Sequence, residues 1–267
     1  MNVGVVGLGA IGSDLAACLA RGEFPGLRLA AVSDMDEARA GTVVSSLPGD
    51  VAAMSLDELV AACHLVIEAT AKAAMPGIVT RALEKGRWVL ALSVGGLADS
   101  PDLGELAEKH GGRLYLPSGA LAGIDAILAA REAGLTAVSL TTTKNPKSLA
   151  GAPYLVKNGI SLEGLAEPRV IFEGNAMDAV QGFPANANVA ITLSFAGIGM
   201  EKTRVRFIAD PAATLTRQEI RAEGAVGSIH TVTEGSVAPT NPRSGYLAIL
   251  SARSLLRKMA SPMPIGS

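Results

Sequence analysis

Three glycines near the start of the chain have the spacing at which backbone atoms can hold a phosphate. Gly7, Gly9 and Gly12 form the pattern G-x-G-x-x-G. In this pattern the first glycine permits a tight turn, the second lets the backbone approach a pyrophosphate, and the third lets a helix lie close to a strand. The N–H groups that begin the helix then point at the phosphates. The pattern predicts contacts to a dinucleotide cofactor from Gly7, Gly9, Ala10, Ile11 and Gly12.

A carboxylate follows the glycines along the chain. Asp34 comes about twenty residues later, where a carboxylate can accept hydrogen bonds from the adenosine ribose and repel a 2′-phosphate. The predicted cofactor is therefore NAD, with NADP as the alternative.

The surrounding sequence supplies the elements that would position these residues. Asn2 to Val6 is a short apolar, β-branched run that leads straight into the glycines. Ile11, Leu15 and Leu19 lie four residues apart, which indicates a helix, and Leu29 to Val32 is a second apolar run. An isolated G-x-G-x-x-G can also be an ordinary turn. Here strand, turn, helix, second strand and acid follow in the order of a dinucleotide-binding unit, and we favour that interpretation.

The rest of the first half alternates strands with helices. Strands are predicted at His64–Thr70, Trp88–Ser93 and Arg113–Leu116, and helices at Leu56–Val60, Ala74–Lys85 and Asp102–His110. This alternation predicts a Rossmann-type, doubly wound parallel sheet with its ligand at the carboxyl ends of the strands. The residues expected there are Ala69, Thr70, Ser93 and Ala120 for the cofactor and Ser118 for the substrate. Ser118 to Ala120 can equally be a simple turn.

The second half has a different pattern. Strands are predicted at Ala137–Thr143, Val170–Asn175, Thr203–Ala209 and Arg217–Glu223, and helices at Ile124–Glu132 and Asn186–Met200. Gln218, Ile220 and Ala222 alternate with charged residues, so they are expected to face inward. We predict a second α/β domain in which helices cover an open sheet. The last helical pattern, after Asn241, is expected to pack on the first domain.

The second domain would therefore be an insertion in the first. The predicted boundaries are 1–118 with 240–267 for the Rossmann domain and 119–239 for the substrate and dimerisation domain.

Composition indicates a compact soluble enzyme and argues against several kinds of partner. The 267 residues are 49% hydrophobic, with a formal net charge of −2 and a pI near 6.0. They offer no basic field for nucleic acid or an anionic membrane, and no apolar run of the roughly 20 residues that a membrane span needs. Cys18 and Cys63 suggest neither a disulfide framework nor a metal site, and no signal-like segment is evident. A cytoplasmic protein without a metal is expected.

Several longer motifs make the chain resemble the L-aspartate dehydrogenase family along essentially its full length. They are GLGAIG, SVGGLAD at Ser93–Asp99, PSGALAGIDA at Pro117–Ala126, FEGNAMDAVQGFPANANVAITLSFAGIG at Phe172–Gly199, ADP at Ala209–Pro211 and NPRSGYLA at Asn241–Ala248. The long central motif is the most specific, since no general rule of the fold requires its asparagines together with its Phe-Pro pair. Without the resemblance, the fold signals support only a nicotinamide-dependent oxidoreductase.

The resemblance implies a particular reaction and assembly. It implies a Rossmann domain joined to an α/β substrate domain, a homodimer, and a role in NAD biosynthesis. The implied reaction is the reversible NAD(P)-dependent oxidative deamination of aspartate through iminosuccinate. The ligand would be an amino or 2-oxo dicarboxylic acid.

Three asparagines of the central motif cluster at the predicted domain junction. We expect Asn175 and Asn186 to contact the substrate and Asn188 to contact the cofactor. From its position alone, Asn186 also fits the N-cap of a helix, with Asn188 one turn inside it.

Two departures from the family pattern matter for the chemistry. The family reads approximately N-T-H-E-I near its catalytic strand, and this chain reads T-R-Q-E-I, so Gln218 replaces the catalytic histidine. The family also tends to read T-R-K-P-P where this chain has T-T-K-N-P, so a cation is missing at Thr143 while Lys144 is retained. Arginine would bind a dicarboxylate by bidentate hydrogen bonds, which threonine cannot replace.

The missing histidine matters because hydrolysis of an imine needs water activated by a base whose pKa lies near neutrality. A carboxamide cannot be that base, although Gln218 can orient water or ammonium. The possible substitutes are Asp210, His230 and Lys144, the last if burial lowers its pKa. We expect His230 to be a solvent-facing strand residue and favour Lys144 as a contact for a substrate carboxylate. Gln218 and Lys144 are the predicted catalytic residues.

Three functional hypotheses follow. The first, which we favour, is an amino-acid dehydrogenase or imine reductase that acts on aspartate or a close relative. The second keeps the hydride chemistry but changes the substrate to another acid, a lactam or a preformed imine. The third is a cofactor-binding protein without turnover.

Overall fold

The structure is a computed structural model that describes residues 1–100, 102–238 and 241–266. The chain forms two compact units. The first comprises Met1–Pro117 and Ala252–Ile265, and the second comprises Ser118–Ser251 and Gly266. The domain boundary predicted at residue 240 lies outside the described residues.

The first unit is a six-stranded parallel sheet with helices between its strands. The strands are β1 (Asn2–Val6), β2 (Arg28–Ser33), β3 (Ala52–Ala53), β4 (Leu65–Glu68), β5 (Trp88–Ala91) and β6 (Arg113–Tyr115). The helices are α1 (Ala10–Ala20), α2 (Glu37–Ser46), α3 (Leu56–Ala62), α4 (Met75–Glu84) and α5 (Leu103–Lys109), with a 3₁₀ segment at Val94–Asp99. The strand order β3-β2-β1-β4-β5-β6 reverses between β1 and β4. Ligands of doubly wound sheets bind at this reversal, beyond the carboxyl ends of the strands.

The apolar spacing in the sequence explains why α1 lies on this sheet. Leu15, Ala16 and Leu19 of α1 belong to the same hydrophobic core as Val3 and Val5 of β1. β-Branched residues favour the strand, and apolar residues three and four apart give the helix its buried stripe. The predicted unit of strand, turn, helix and strand is confirmed.

The second unit contains a five-stranded mixed sheet. Its strands are β7 (Leu135–Lys144), β8 (Arg169–Asn175), β9 (Arg204–Ala209), β10 (Thr216–Gly224) and β11 (Gly227–Gly235), and its helices are α6 (Ile124–Glu132), α7 (Pro153–Lys157), α8 (Ala176–Gly182) and α9 (Asn188–Ala196). Two short strands, β12 (Val237–Ala238) and β13 (Asn241–Gly245), form a separate ribbon before α10 (Tyr246–Ala260). The sheet order is β11-β10-β7-β9-β8, with β7 and β9 parallel and the other neighbours antiparallel.

One face of the second sheet is covered and the other carries charged residues. Leu140, Phe207 and Ile220 point inward and share a core with Leu193 of α9. Positions that alternate with them are charged and more exposed, as in β10. This is the covered open sheet that the sequence predicts, and the predicted α/β fold class is confirmed.

The helix predicted from Asn186 to Met200 was wrong at both ends, because α9 begins at Asn188 and ends at Ala196. Before it, the N–H of Asn186 donates to the carbonyl oxygen of Phe183 at 2.9 Å, which closes a turn in place of a first helical turn. After it, the chain leaves the helical conformation at the C-cap Gly197, which has a φ of −103° and a ψ of −114°. Asn188 is therefore the first helical residue and Asn186 is not an N-cap.

The second part of α10 belongs to the first unit. Ala252 and Leu256 are buried in the core that contains α1. Arg253 pairs with Asp14 of α1, and its Nε donates to Asp14 Oδ2 at 3.0 Å. These contacts fix the end of the chain on the Rossmann sheet and its first helix.

We expect Leu256→Ala to lower the free energy of unfolding by about 2–5 kcal/mol, because Leu256 is completely buried and its loss leaves a cavity. Leu247→Ala is the matched control, since Leu247 lies on the same helix and is 39% exposed. Urea unfolding of both variants measures the difference. Equal stability of the two variants would contradict the core role of this part of the helix.

Candidate functional site

The glycine turn after β1 is closely packed. Gly7 has a φ of +88°, a left-handed conformation that glycine adopts readily. A Cβ at Gly7 would lie 2.7 Å from the carbonyl oxygen of Ala69, and a Cβ at Gly12 would lie 1.8 Å from the carbonyl oxygen of Gly7. Both positions therefore require glycine, and the turn packs directly on Ala69 at the end of β4.

Gly9, in contrast, faces open space, because a Cβ there would meet no atom within 4 Å. Gly9 is the N-cap of α1 and no side chain caps the helix. The first N–H groups of a helix, here those of Ala10, Ile11 and Gly12, have no partner within it. An open, uncapped helix N-terminus beside a glycine turn fits the pyrophosphate of a dinucleotide.

Asp34 follows β2 and reaches the same turn. Its Oδ2 accepts a hydrogen bond from the N–H of Leu8 at 2.7 Å, and its Oδ1 accepts one from the N–H of Asp36 at 2.9 Å. Burial alone would raise the pKa of Asp34, but these hydrogen bonds and the charge of Arg39 bring that pKa below its ordinary value. The carboxylate is therefore ionised and fixed beside the glycine turn.

Glu68, at the end of β4, is a buried carboxylate that the sequence analysis missed. It accepts hydrogen bonds from the N–H of Thr70 at 2.7 Å, from Thr70 Oγ1 at 2.6 Å and from the N–H of Ser93 at 3.1 Å. Ser93 Oγ in turn donates to the carbonyl oxygen of Thr70 at 2.5 Å. Glu68 thus holds together two predicted cofactor-binding residues from different strands. The signal for it was a lone acid inside the apolar run Leu65–Ala69.

In the second unit, the Lys144 ammonium is partly buried at the end of β7. Its Nζ donates to Asn186 Oδ1 at 2.6 Å. No carboxylate in the described part of this unit lies at ion-pair distance, and burial lowers the pKa of Lys144. Asn186 therefore positions Lys144 instead of capping α9. A partly buried cation without an anionic neighbour is well suited to bind the carboxylate of a ligand.

Gln218 of β10 lies on the same face of the sheet. It is buried, and its Oε1 accepts a hydrogen bond from Thr142 Oγ1 at 2.6 Å. Thr142 stands opposite Gln218 in the register of β7 and β10. Because side chains alternate along a strand, Lys144 points to this face too. The prediction that Gln218 faces inward is confirmed, and Thr142 is its buried partner.

The same alternation corrects the interpretation of Thr143. This residue lies between Thr142 and Lys144 and stands opposite Arg217 of β10. Its side chain therefore points to the other, charged face of the sheet. An arginine at this position would not stand beside Gln218, so Thr143 removes no cation from that face.

The segment from Ser118 to Ala122 is anchored on β11. Threonine hydroxyls of that strand donate to the carbonyl oxygen of Ala120 at 2.7 Å and of Ala122 at 2.9 Å. Gly119 packs near Val189, the second residue of α9, because a Cβ at Gly119 would lie 3.3 Å from Val189 Cγ1. The structure thereby brings Ser118 and Ala120 close to the beginning of α9.

The remaining predicted asparagines have different surroundings. Asn175 caps α8, since its Oδ1 accepts a hydrogen bond from the N–H of Asp178 at 2.8 Å. Asn175 thus caps α8, whereas the N-cap of α9 is Ala187 and not Asn186. Asn188 is exposed at the first position of α9.

The two alternative bases have other side-chain contacts. His230 lies on the charged face of the sheet, as expected, with its Nε2 3.0 Å from Glu219 Oε1. Asp210 follows β9, and its Oδ1 accepts a hydrogen bond from the N–H of Ala212 at 2.9 Å. Among Asp210, His230 and Lys144, the three bases considered, Lys144 is the one placed on the face of Gln218.

The described part of the chain has neither a metal-binding cluster nor a membrane-spanning helix. Within residues 1–100, 102–238 and 241–266, no cluster of three or more His, Cys, Asp or Glu side chains could hold a metal ion. The helices of these same residues include none with the length and apolar character required to cross a membrane.

Two protein families match consecutive parts of the chain. Residues 7–117 match the NAD-binding domain of homoserine dehydrogenase. Residues 125–259 match the C-terminal part of aspartate dehydrogenase. The first match lies within the first unit and contains the glycine turn, and the second contains Lys144, Asn186 and Gln218.

Curated relatives are similar over the full length. L-aspartate dehydrogenase from Methanosarcina mazei is 44% identical over 271 aligned residues, which cover 100% of both chains. L-aspartate dehydrogenase 3 from Bordetella bronchiseptica is 38% identical, over 100% of this chain and 98% of the relative.

Solved structures share the fold. Aspartate dehydrogenase from Thermotoga maritima is similar with a TM-score of 0.75 at 24% identity, over 100% of this chain and 99% of that one. GenD2 from gentamicin A biosynthesis, solved in complex with NAD, has a TM-score of 0.54 at 19% identity, over 100% and 88% of the two chains.

We expect Asp34→Ala to weaken NADH binding about tenfold or more and to relax discrimination against NADPH. The change removes a charged acceptor, whose hydrogen bonds are worth about 1.5–3 kcal/mol each, and the charge that repels a 2′-phosphate. Fluorescence titration with both reduced cofactors measures the two affinities. Asp57→Ala is the control, because Asp57 is exposed and pairs with Arg81. Unchanged affinities in Asp34→Ala would remove Asp34 from the cofactor site.

Proposed function

The chain belongs to the L-aspartate dehydrogenase family, and from this membership we propose that it catalyses the reversible NAD(P)-dependent oxidative deamination of L-aspartate. The products are oxaloacetate, ammonium and the reduced cofactor, formed through iminosuccinate. The observation that carries the proposal is the partly buried Lys144 ammonium on the face of Gln218, in a chain that also has the dinucleotide turn.

The overall reaction consumes L-aspartate, NAD⁺ and one water, and yields oxaloacetate, ammonium, NADH and one proton. When bound, NAD⁺ would supply the acceptor for the hydride of the α-carbon. The residues of the chain must then hold the dicarboxylate and deliver water to the resulting imine.

We assign Lys144 to a carboxylate of the substrate. The ammonium is partly buried and donates a hydrogen bond to the neutral oxygen of Asn186. Among the described residues of its unit, no carboxylate lies at ion-pair distance from it. A dicarboxylate would supply the missing charge through a charge-assisted hydrogen bond. Asn186 fixes the direction in which the ammonium points, so its role is to position Lys144.

We assign Gln218 to the orientation of water or ammonium at the imine carbon. Its Oε1 is already engaged by Thr142, which fixes the plane of the carboxamide. A carboxamide does not take up a proton near neutrality, so in this chain the proton of the attacking water must go to another acceptor. The position of the family histidine is thus kept for hydrogen bonding but not for proton transfer.

Two further parts of the proposal follow from the resemblance. We propose a homodimer in the cytoplasm. Both cysteines are free and buried, which suits a reducing compartment. Light scattering on the purified protein measures the mass of the assembly directly.

The deciding experiment is NADH oxidation with oxaloacetate, with and without ammonium. Ammonium-dependent oxidation with oxaloacetate is the expected result. Other 2-oxo acids, each with and without ammonium, form the comparison series. Strong activity with another acid and none with oxaloacetate would favour a changed substrate, and no oxidation with any of them would favour a cofactor-binding protein without turnover.

We expect the affinity for succinate, an unreactive dicarboxylate, to fall as pH rises. Desolvation lowers the pKa of Lys144, so the ammonium begins to lose its proton at a lower pH than an ordinary lysine, whose pKa is about 10.4. The inhibition constant of succinate, measured between pH 7 and 10, should rise by up to tenfold for each pH unit above that lowered pKa. Lys144→Arg is the control, since guanidinium keeps its charge throughout this range. A constant affinity of the unmodified protein up to pH 10 contradicts the assignment of Lys144.

We expect Gln218→His to raise aspartate-dependent NAD reduction at least tenfold. An imidazole on the same inward face can act as a general base, an effect typically worth about 10²–10⁴-fold. The gain should be at the low end because Thr142 and the neighbouring residues are adapted to a carboxamide. The pH profile of the variant should also gain an ascending limb at about pH 6.5, the ordinary pKa of histidine.

Gln218→Leu is the control for the histidine variant, since it fills the site without a base. No gain in Gln218→His, together with strong activity of the unmodified protein on another imine or 2-oxo acid, would mean that Gln218 belongs to a different substrate.

A further inference from the structure

Asp34 has a partner that the sequence analysis did not consider. Arg39, in the first turn of α2, places its Nη1 3.2 Å from Asp34 Oδ1 and 3.3 Å from Asp34 Oδ2. Its Nη2 lies 3.3 Å from Asp36 Oδ2. The guanidinium therefore stands at the carboxylate that is expected to receive the adenosine ribose.

The hydrogen bonds to Asp34 occupy the acceptor capacity of its carboxylate. A carboxylate has about four lone-pair sites. The N–H groups of Leu8 and Asp36 take two of them, at 2.7 and 2.9 Å. The two contacts of Arg39 take the others. A ribose hydroxyl can bind Asp34 only if Arg39 gives up at least one contact.

The two members of this pair differ in freedom. The Asp34 side chain is 7% exposed and is held by two backbone groups, whereas the Arg39 side chain is 50% exposed. The arginine is therefore the member that moves when a ligand arrives. Its long side chain can turn outward while its charge remains beside the ribose.

We propose that Arg39 is a specificity-determining residue that allows the Asp34 site to bind a 2′-phosphorylated ribose as well as an unmodified one. With NAD, the ribose hydroxyls replace Arg39 on Asp34. With NADP, the guanidinium leaves Asp34 and binds the 2′-phosphate, with the planar fork that suits phosphate oxygens. The inference rests on the proposed cofactor role of Asp34.

The charges of Asp34, Asp36 and Arg39 also determine whether NADH or NADPH binds more tightly. Asp34 and Asp36 both repel a 2′-phosphate, and a single Arg39 offsets part of that repulsion. NADPH should therefore bind more weakly than NADH to the unmodified protein, but still measurably. Loss of Arg39 should affect NADPH much more than NADH, since only the phosphate gains a new partner in the arginine.

The test is fluorescence titration of NADH and NADPH with the unmodified full-length protein and with Arg39→Leu. The expected result is a rise of at least about tenfold in the ratio of the NADPH to the NADH dissociation constant in Arg39→Leu. Both constants come from one protein sample, so a partly unfolded fraction does not change their ratio. Arg21→Leu is the matched control, because Arg21 lies beyond the far end of α1, pairs with Glu23 and is 52% exposed. The control should keep the ratio of the unmodified protein.

Two results would overturn the inference: an unchanged ratio in Arg39→Leu, or no measurable NADPH binding by the unmodified protein. Neither would touch the cofactor role of Asp34, which fails only if Asp34→Ala leaves NADH affinity unchanged.

Discussion

The first unit depends on the close approach of α1 to β1 at Gly12. A Cβ at this position would lie 1.8 Å from the carbonyl oxygen of Gly7, so any other residue would push the helix away from the strand. That contact aims the uncapped start of α1 beyond the carboxyl end of β1, next to the point where the sheet reverses. Asp34 and Ala69 can adjoin the turn only because the helix and the sheet are this close.

The two units differ in the partners that they give to their ionisable side chains. In the first, the carboxylates of Asp34 and Glu68 each accept several hydrogen bonds, which hold both side chains in fixed positions. In the second, Lys144 donates to the neutral side chain of Asn186. No carboxylate among the described residues of that unit lies at ion-pair distance from Lys144. The first unit thus has fixed carboxylates, and the second has a cation that we propose binds the carboxylate of a substrate. Partial burial of the Lys144 ammonium costs free energy that an anionic ligand would offset.

Features with a local cause could be predicted from the sequence, and features that depend on tertiary contacts could not. The glycine turn and the inward face of Gln218 follow from spacing and alternation, and the structure has both. The start of α9 was misplaced because a turn at Asn186 competes with the helix, and α2 went unpredicted because its sequence has a weak apolar stripe. The roles of Thr142 and Arg39 depend on partners that only strand register and folding reveal.

The central claim is that the hydride leaves the α-carbon of aspartate, and isotope transfer tests it most directly. L-[2-²H]aspartate and NAD⁺ are incubated with the protein, and the reduced cofactor is analysed by mass spectrometry and NMR. The predicted result is NADH that carries one deuterium at C4 of the nicotinamide, formed together with oxaloacetate. Formation of NADH without deuterium would contradict the claim. So would a failure of aspartate to reduce NAD⁺ if the same protein oxidises NADH with a different 2-oxo acid.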